Sequence, residues 1–82
     1  MKTKERVKEI IAGTLGVPLE EVKDECRLYN DLGGDSIDLV DITLELEKSF
    51  DVHYSPGDPV FTSVDITVEE LIADVCLKIR KP

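Results

Sequence analysis

An all-α fold, a small bundle of three longer helices and one short one, is the class that these 82 residues predict. Three observations carry the prediction. Apolar residues recur at three- and four-residue spacing in three separate stretches, the period of an amphipathic helix. Those stretches open on capping-type residues, whereas no segment alternates as a half-buried strand does. The chain has no Trp and only four Phe or Tyr, so its core must be built from Ile, Leu and Val. A core of that kind is modest in a chain this short. No linker-like run divides the sequence, and residues 1–82 read as one domain.

The first helix is expected from Thr3 to about Leu15, where Val7, Ile10, Ile11 and Leu15 keep helical spacing. Thr3 offers a cap, Gly16 stands where the helix closes, and Pro18 follows. Residues 17–35 then form a long connection, with a helical turn expected near 19–23. Val17, Leu19, Val22, Leu28 and Leu32 are available to pin it to the core. Connections of this length inside small domains are often functional.

The second helix is expected from about Ser36 to Phe50. At 100° per residue, Leu39, Ile42, Leu46 and Phe50 fall within an arc of about 80°, the core-facing stripe. Ile37, Val40 and Leu44 make a second stripe about 60° wide on a different face. Asp38, Asp41 and Glu45 flank it on one side and Glu47 on the other. A helix with two apolar stripes touches two things.

Asp58-Pro59 signals a short helix near 59–63, ended by the segment from Ser63 to Ile66. The last helix opens on a capping box, Thr67 with Glu70, and continues with Val68, Leu71, Ile72, Val75, Cys76 and Ile79.

Charge narrows the function classes. The formal net charge is −8, yet seven of the ten basic residues lie at the two ends. Between residues 9 and 77, 17 acidic side chains face only Lys23, Arg27 and Lys48, a local net of −14. Such a body repels nucleic acid and anionic membrane and steers towards basic protein surfaces. No apolar run is long enough for a membrane span, and the N-terminus lacks the apolar region of a signal peptide. Cys26 and Cys76 are expected to be ordinary thiols, consistent with a cytoplasmic, monomeric protein.

The segment "NDLGGDSIDLVDI", residues 30–42, poses the functional question. Asp35 already supplies the capping oxygen, and Asp38 stands three residues on as its acidic partner. Ser36, a second capping-type residue directly after the first, is therefore not needed as a cap. Its hydroxyl is free to be presented at the tip of a helix.

"DLGGDSIDLV", residues 31–40, resembles the attachment motif of acyl carrier proteins. The likeness continues in "ERVKEIIAGTLGV", "LELEKSFDV" and "TVEELIADV", nearly the whole chain. The resemblance implies a small helical bundle in which Ser36 is esterified to 4′-phosphopantetheine. The group would come from coenzyme A through a separate phosphopantetheinyl transferase that uses Mg²⁺, and its terminal thiol would carry acyl chains as thioesters. It further implies that Asp35 and Gly34 frame the attachment point, with Gly33 and Gly34 leaving room for an enzyme to approach. Ile37, Val40 and Leu44, rimmed by Asp35, Asp38, Asp41 and Glu47, would meet acyl-loading and chain-processing enzymes that present basic surfaces. The cargo would fold back between the second and third helices.

Two departures accompany the likeness. Lys48 stands where the family often has an acid, and "HYSPGDPVFTSVD" is longer than in typical fatty-acid carriers and lacks their acidic run. "GGDSI" is shared with peptidyl carrier domains of non-ribosomal synthesis. An acyl carrier of fatty-acid, polyketide or related specialised lipid synthesis is the leading expectation, with a stand-alone aminoacyl or peptidyl carrier as its alternative.

Other classes fit less well. A serine hydrolase needs a base, yet His53 is the one histidine and "GDSID" lacks the nucleophile-elbow pattern. The cluster Asp31, Asp35, Asp38 and Asp41 fails the EF-hand spacing, so no resident metal is expected. A helical adaptor without a prosthetic group would share the outward stripe but would not depend on Ser36.

Overall fold

The computed structural model describes residues 2–80. Helix α1 spans Thr3–Leu15, α2 Ser36–Phe50, α3 Pro59–Thr62 and α4 Val68–Arg80, with a 3-10 turn at Leu19–Glu21. Among the described residues the only extended pairing is an isolated antiparallel bridge between Arg27 and Thr67. The expected class, three longer helices and one short, is the fold observed.

Helix α1 packs against both α2 and α4. It buries Val7, Ile10 and Ile11, while α2 contributes Leu39, Ile42 and Leu46, and α4 contributes Val68, Leu71 and Val75. Val60 of α3 and Val22, Leu28, Tyr54 and Ile66 from the connections complete the core. Thr43 also lies on the buried face of α2, its hydroxyl satisfied by donating to the Val40 carbonyl at 2.8 Å. A hydroxyl that bonds back onto its own helix enters an apolar interior without an unmet donor.

Helix starts divide into two kinds. Asp35 with Asp38 and Thr67 with Glu70 both form reciprocal capping boxes. Thr3 and Asp58, expected as caps, do not act as such. Thr3 is already the first helical residue, Lys2 holds the N-cap position, and no side chain caps that end. Asp58 holds the N-cap position of α3, but its carboxylate turns back to accept from the Ser55 N–H at 2.7 Å. Asp35 and Thr67 each have an acid three residues on and became boxes; Asp58 has Phe61 there, and at α1 the cap position falls on Lys2, whose side chain has no acceptor to offer. Helix α1 ends as expected at Gly16, whose φ of 68° is the left-handed conformation that glycine adopts freely.

The long connection is held by backbone pairing as well as by Val17, Val22, Leu28 and Leu32, which pack on the core as expected. The Leu28 N–H donates to the Ile66 carbonyl, the Val68 N–H to Cys26 and the Glu69 N–H to Asp24. The Asp65 carboxylate accepts from the N–H groups of Tyr29 and Asn30 at 2.9 and 3.2 Å. Leu19 is accordingly dispensable as an anchor and lies half exposed, contrary to expectation. Ile79, placed on the apolar face by its spacing, is exposed as well. On the other flank, Lys4 and Lys8 of α1 both pair with Asp24 at 2.8 Å, and these two ammonium groups hold its carboxyl below the usual range.

The α2–α3 connection is tied by a second polar cluster. Lys78 of α4 donates to the His53 carbonyl at 2.9 Å, pairs with Asp58 at 3.2 Å and sits 4.5 Å from the centre of the Tyr54 ring. The Ser55 N–H, with Lys78 adding to it, keeps the Asp58 carboxyl below its ordinary value of 3.8. The sign follows from linkage. Stability from a depressed carboxyl is present above the unfolded-state value and is lost as pH falls through the lower folded-state value. Asp58→Ala is expected to cost about 1–2 kcal/mol at pH 7 in urea unfolding, because the Ser55 N–H and Lys78 lose their acceptor. The deficit should shrink below about pH 4, where the wild-type group is itself being protonated. A deficit independent of pH would mean that Asp58 acts through shape alone.

Candidate functional site

The tip of α2 is built by the turn that precedes it. Asp31 accepts from the Arg27 N–H at 2.8 Å, and the Gly33 N–H donates to the Tyr29 carbonyl at 3.0 Å. Gly33 has a φ of 75°, which a side chain would strain. Gly34 is required for another reason. Its N–H is bonded to the Leu28 carbonyl at 2.9 Å, and a Cβ there would lie 3.0 Å from that same oxygen and 3.1 Å from Leu15 Cδ2. The glycine expected to clear an approach from outside is thus fixed by packing from inside.

Asp35 then enters the helix in extended conformation, and its Oδ1 accepts from the Asp38 N–H at 3.0 Å. Asp38 Oδ2 reciprocates by accepting from the Asp35 N–H at 3.1 Å. Ser36 follows as the first helical residue, exposed to solvent. Among the described residues, its hydroxyl and the backbone N–H groups of Ser36 and Ile37 have no protein partner. The cap is made around Ser36 and leaves it free.

An acyclic phosphodiester on the Ser36 oxygen fits this tip. The two free N–H groups and the helix dipole attract an anion, whereas the Asp35 and Asp38 carboxylates repel it. With the opposing effects this close, such an anion would stay in water rather than settle on the protein. Nothing at the exposed hydroxyl obstructs a long substituent.

Behind the tip, Ile37, Val40 and Leu44 are 71%, 47% and 48% exposed, while Leu39, Ile42 and Leu46 on the opposite stripe are buried. Asp41 is exposed beside them. Asp41 and Leu44 also border an open groove of about 590 Å³ between α1 and α2, with Arg6 and Lys48 on its walls. Glu47 stands apart from the other acids. Its Oε2 accepts from the Tyr54 N–H at 2.8 Å and lies 3.7 Å from His53 Nδ1. Its carboxylate is committed to the junction of α2 with the following loop, a role the helical spacing does not reveal.

His53, 86% exposed, belongs to that loop, as a surface residue. Cys26 and Cys76 are free thiols. Among the described residues no three His, Cys, Asp or Glu side chains converge as a metal site needs, and no helix is long and apolar enough to cross a membrane.

A free serine at a capped helix tip, after a glycine turn and within a small helical bundle, is the arrangement that the sequence resemblance anticipated. The family model described as "phosphopantetheine attachment site" matches residues 5–76, from the first turn of α1 well into α4. The match covers every element that positions the tip of α2, so the chain belongs to the phosphopantetheine-attachment family and is a phosphopantetheine carrier.

Proposed function

We propose that this chain carries acyl intermediates as thioesters on a 4′-phosphopantetheine arm esterified to Ser36, and presents them to enzymes of fatty-acid, polyketide or related specialised synthesis. The observation that supports Ser36 is its hydroxyl, solvent-exposed and free of protein hydrogen bonds because Asp35 and Asp38 close the helix end between themselves. When bound, the arm supplies a terminal thiol on a flexible tether. The chain's own part is to hold the serine oxygen outward and to keep the surrounding surface legible to partners.

A phosphopantetheinyl transferase would form the bond between the Ser36 oxygen and the phosphorus donated by coenzyme A, with the adenosine half of the donor leaving. Mg²⁺ would be needed in that reaction only. Intact mass before and after incubation with coenzyme A, Mg²⁺ and a broad-specificity transferase tests the reading. The mass should rise by one phosphopantetheine, and no gain with several transferases on folded, unmodified protein would favour an adaptor.

The exposed stripe Ile37, Val40 and Leu44, with Asp35, Asp38 and Asp41 around it, supports docking to basic enzyme surfaces in the cytoplasm. Charges of this kind accelerate encounter and fix orientation more than they hold the complex, which suits a carrier that must be released. Asp41→Lys is the clean variant, since Asp41 makes no cap bond. It should slow association with the transferase about tenfold at low salt, with the difference shrinking as salt screens it. Equal rates at low salt would remove Asp41 from the docking surface. An aminoacyl or peptidyl carrier is the second reading, favoured by the run Gly33-Gly34-Asp35-Ser36-Ile37.

A further inference from the structure

The charges along α2 do not keep one sign. Asp38, Asp41, Glu45 and Lys48 follow one another at three- and four-residue intervals, so a single line of the helix carries three acids and then a cation. Asp41, Glu45 and Lys48 are exposed, and among the described residues none of them forms an ion pair. Their neighbours do not cancel the change of sign. Arg6 of α1 lies 3.3 Å from Ser49 Oγ and 3.4 Å from Glu9, so Arg6 and Glu9 offset each other. Glu47, next to Lys48 in the chain, is committed to the Tyr54 N–H.

Asp41, Glu45 and Lys48 all border the open groove between α1 and α2, so the sign changes within one surface. On the α1 wall Gly13 adds no side chain, and nothing lies within 4 Å of a Cβ built there, which leaves the groove open to a group from outside. At the helical rise, Lys48 stands about 10 Å from Asp41 and about 15 Å from Asp38 along the axis. Screening at physiological salt acts over about 8 Å, so a partner meets the two ends of the line as separate charges. Glu45, one turn before Lys48, weakens the positive end without removing it. No carboxylate among the described residues lies within ion-pair distance of that ammonium, so a group touching it responds to Lys48 first.

We propose that Lys48 is a specificity-determining residue of the docking face. It favours enzymes that are basic opposite Asp38 and Asp41 but place an acidic side chain at the Lys48 end of the groove, and it disfavours enzymes that are basic throughout. This rests on the docking reading above and names the charge pattern of the partner.

The test measures kcat/KM for arm attachment by a broad-specificity transferase with a basic docking face, at low and high salt. Lys48→Glu should be modified about threefold faster than the parent at low salt, with Lys48→Gln between them and all three converging at high salt. Lys23→Glu makes the same change in net charge on the exposed connection before α2, and should gain little. Each Lys or Arg around the transferase's active-site entrance is then changed to Glu in turn. At least one such transferase should reverse the order and modify the parent faster than Lys48→Glu, the coupling expected of charges that meet. Melting temperatures of the carrier variants should match the parent, since neither lysine makes an ion pair among the described residues. Equal rates for the parent and Lys48→Glu at low salt, an equal gain in Lys23→Glu, or no transferase variant that reverses the order would overturn the proposal and leave the carrier reading intact. Failure of the protein to accept the arm from any transferase would overturn both.

Discussion

Ser36→Ala is expected to gain no mass with coenzyme A and transferase, yet to unfold within about 2 °C of the parent. Few substitutions separate function from fold so completely, and the reason is local. Ser36 is exposed, is the first residue of α2, and takes no part in the Asp35–Asp38 box. Alanine is the best helix former and loses nothing at a position where serine makes no bond. Asp35→Ala is the contrasting variant. It removes the acceptor for the Asp38 N–H and leaves the Asp38 carboxylate without its half of the box, at a cost of about 1 kcal/mol. In a domain of this size that lowers the melting temperature by about 4–8 °C. Modification should then slow without being abolished, because the hydroxyl remains but its presentation frays. Mass gain in Ser36→Ala would move the attachment point to another hydroxyl. A large drop in its melting temperature would give Ser36 a structural role that the hydrogen bonding does not assign.

The parts legible in the sequence were those governed by a period or by a reciprocal pair. Leu39, Ile42 and Leu46 are buried and Ile37, Val40 and Leu44 exposed because the angle per residue in a helix is nearly constant. Asp35 with Asp38 and Thr67 with Glu70 were legible because each acid answers a cap three residues before it. Where only one half of such a signal exists, at Thr3 and Asp58, the side chain takes another course. The connections were opaque for a different reason. Asp65 on the Tyr29 and Asn30 N–H groups, and Glu47 on the Tyr54 N–H, join residues with no fixed spacing between them. Such pairs depend on how the helices are brought together and leave no periodic trace. Tyr54 itself, beside the exposed His53, reads as loop until the chain folds over it.

Gly34 is where this distinction has the largest energetic consequence, and it can be separated from Gly33 by experiment. In the sequence the two glycines are equivalent; in the structure they are required for opposite reasons. At Gly33 the backbone has a φ of 75° and nothing lies within 4 Å of an added Cβ, so the penalty is conformational. Gly33→Ala should cost about 1–2 kcal/mol, and Gly33→Asn less, because asparagine tolerates the left-handed region. At Gly34 the backbone is unstrained but the Cβ meets the Leu28 carbonyl oxygen at 3.0 Å and Leu15 Cδ2 at 3.1 Å. The leucine can turn aside. The carbonyl cannot, since it is the acceptor of Gly34's own N–H at 2.9 Å, and retreat would break that bond. Gly34→Ala should therefore cost about 1–3 kcal/mol, and Gly34→Val, with two more carbons in the same gap, should cost more still. For a domain this small, whose whole stability lies near the low end of about 5–15 kcal/mol, the valine variant approaches unfolding at 37 °C. Asparagine then discriminates: it should be nearly harmless at 33 and as damaging as alanine or worse at 34. The comparison is read by urea unfolding of the apo-protein, independently of any cargo or partner. If Gly34→Asn were as stable as Gly33→Asn, the close approach of the turn to Leu28 would not govern this position, and the glycine would have to be explained by what docks from outside.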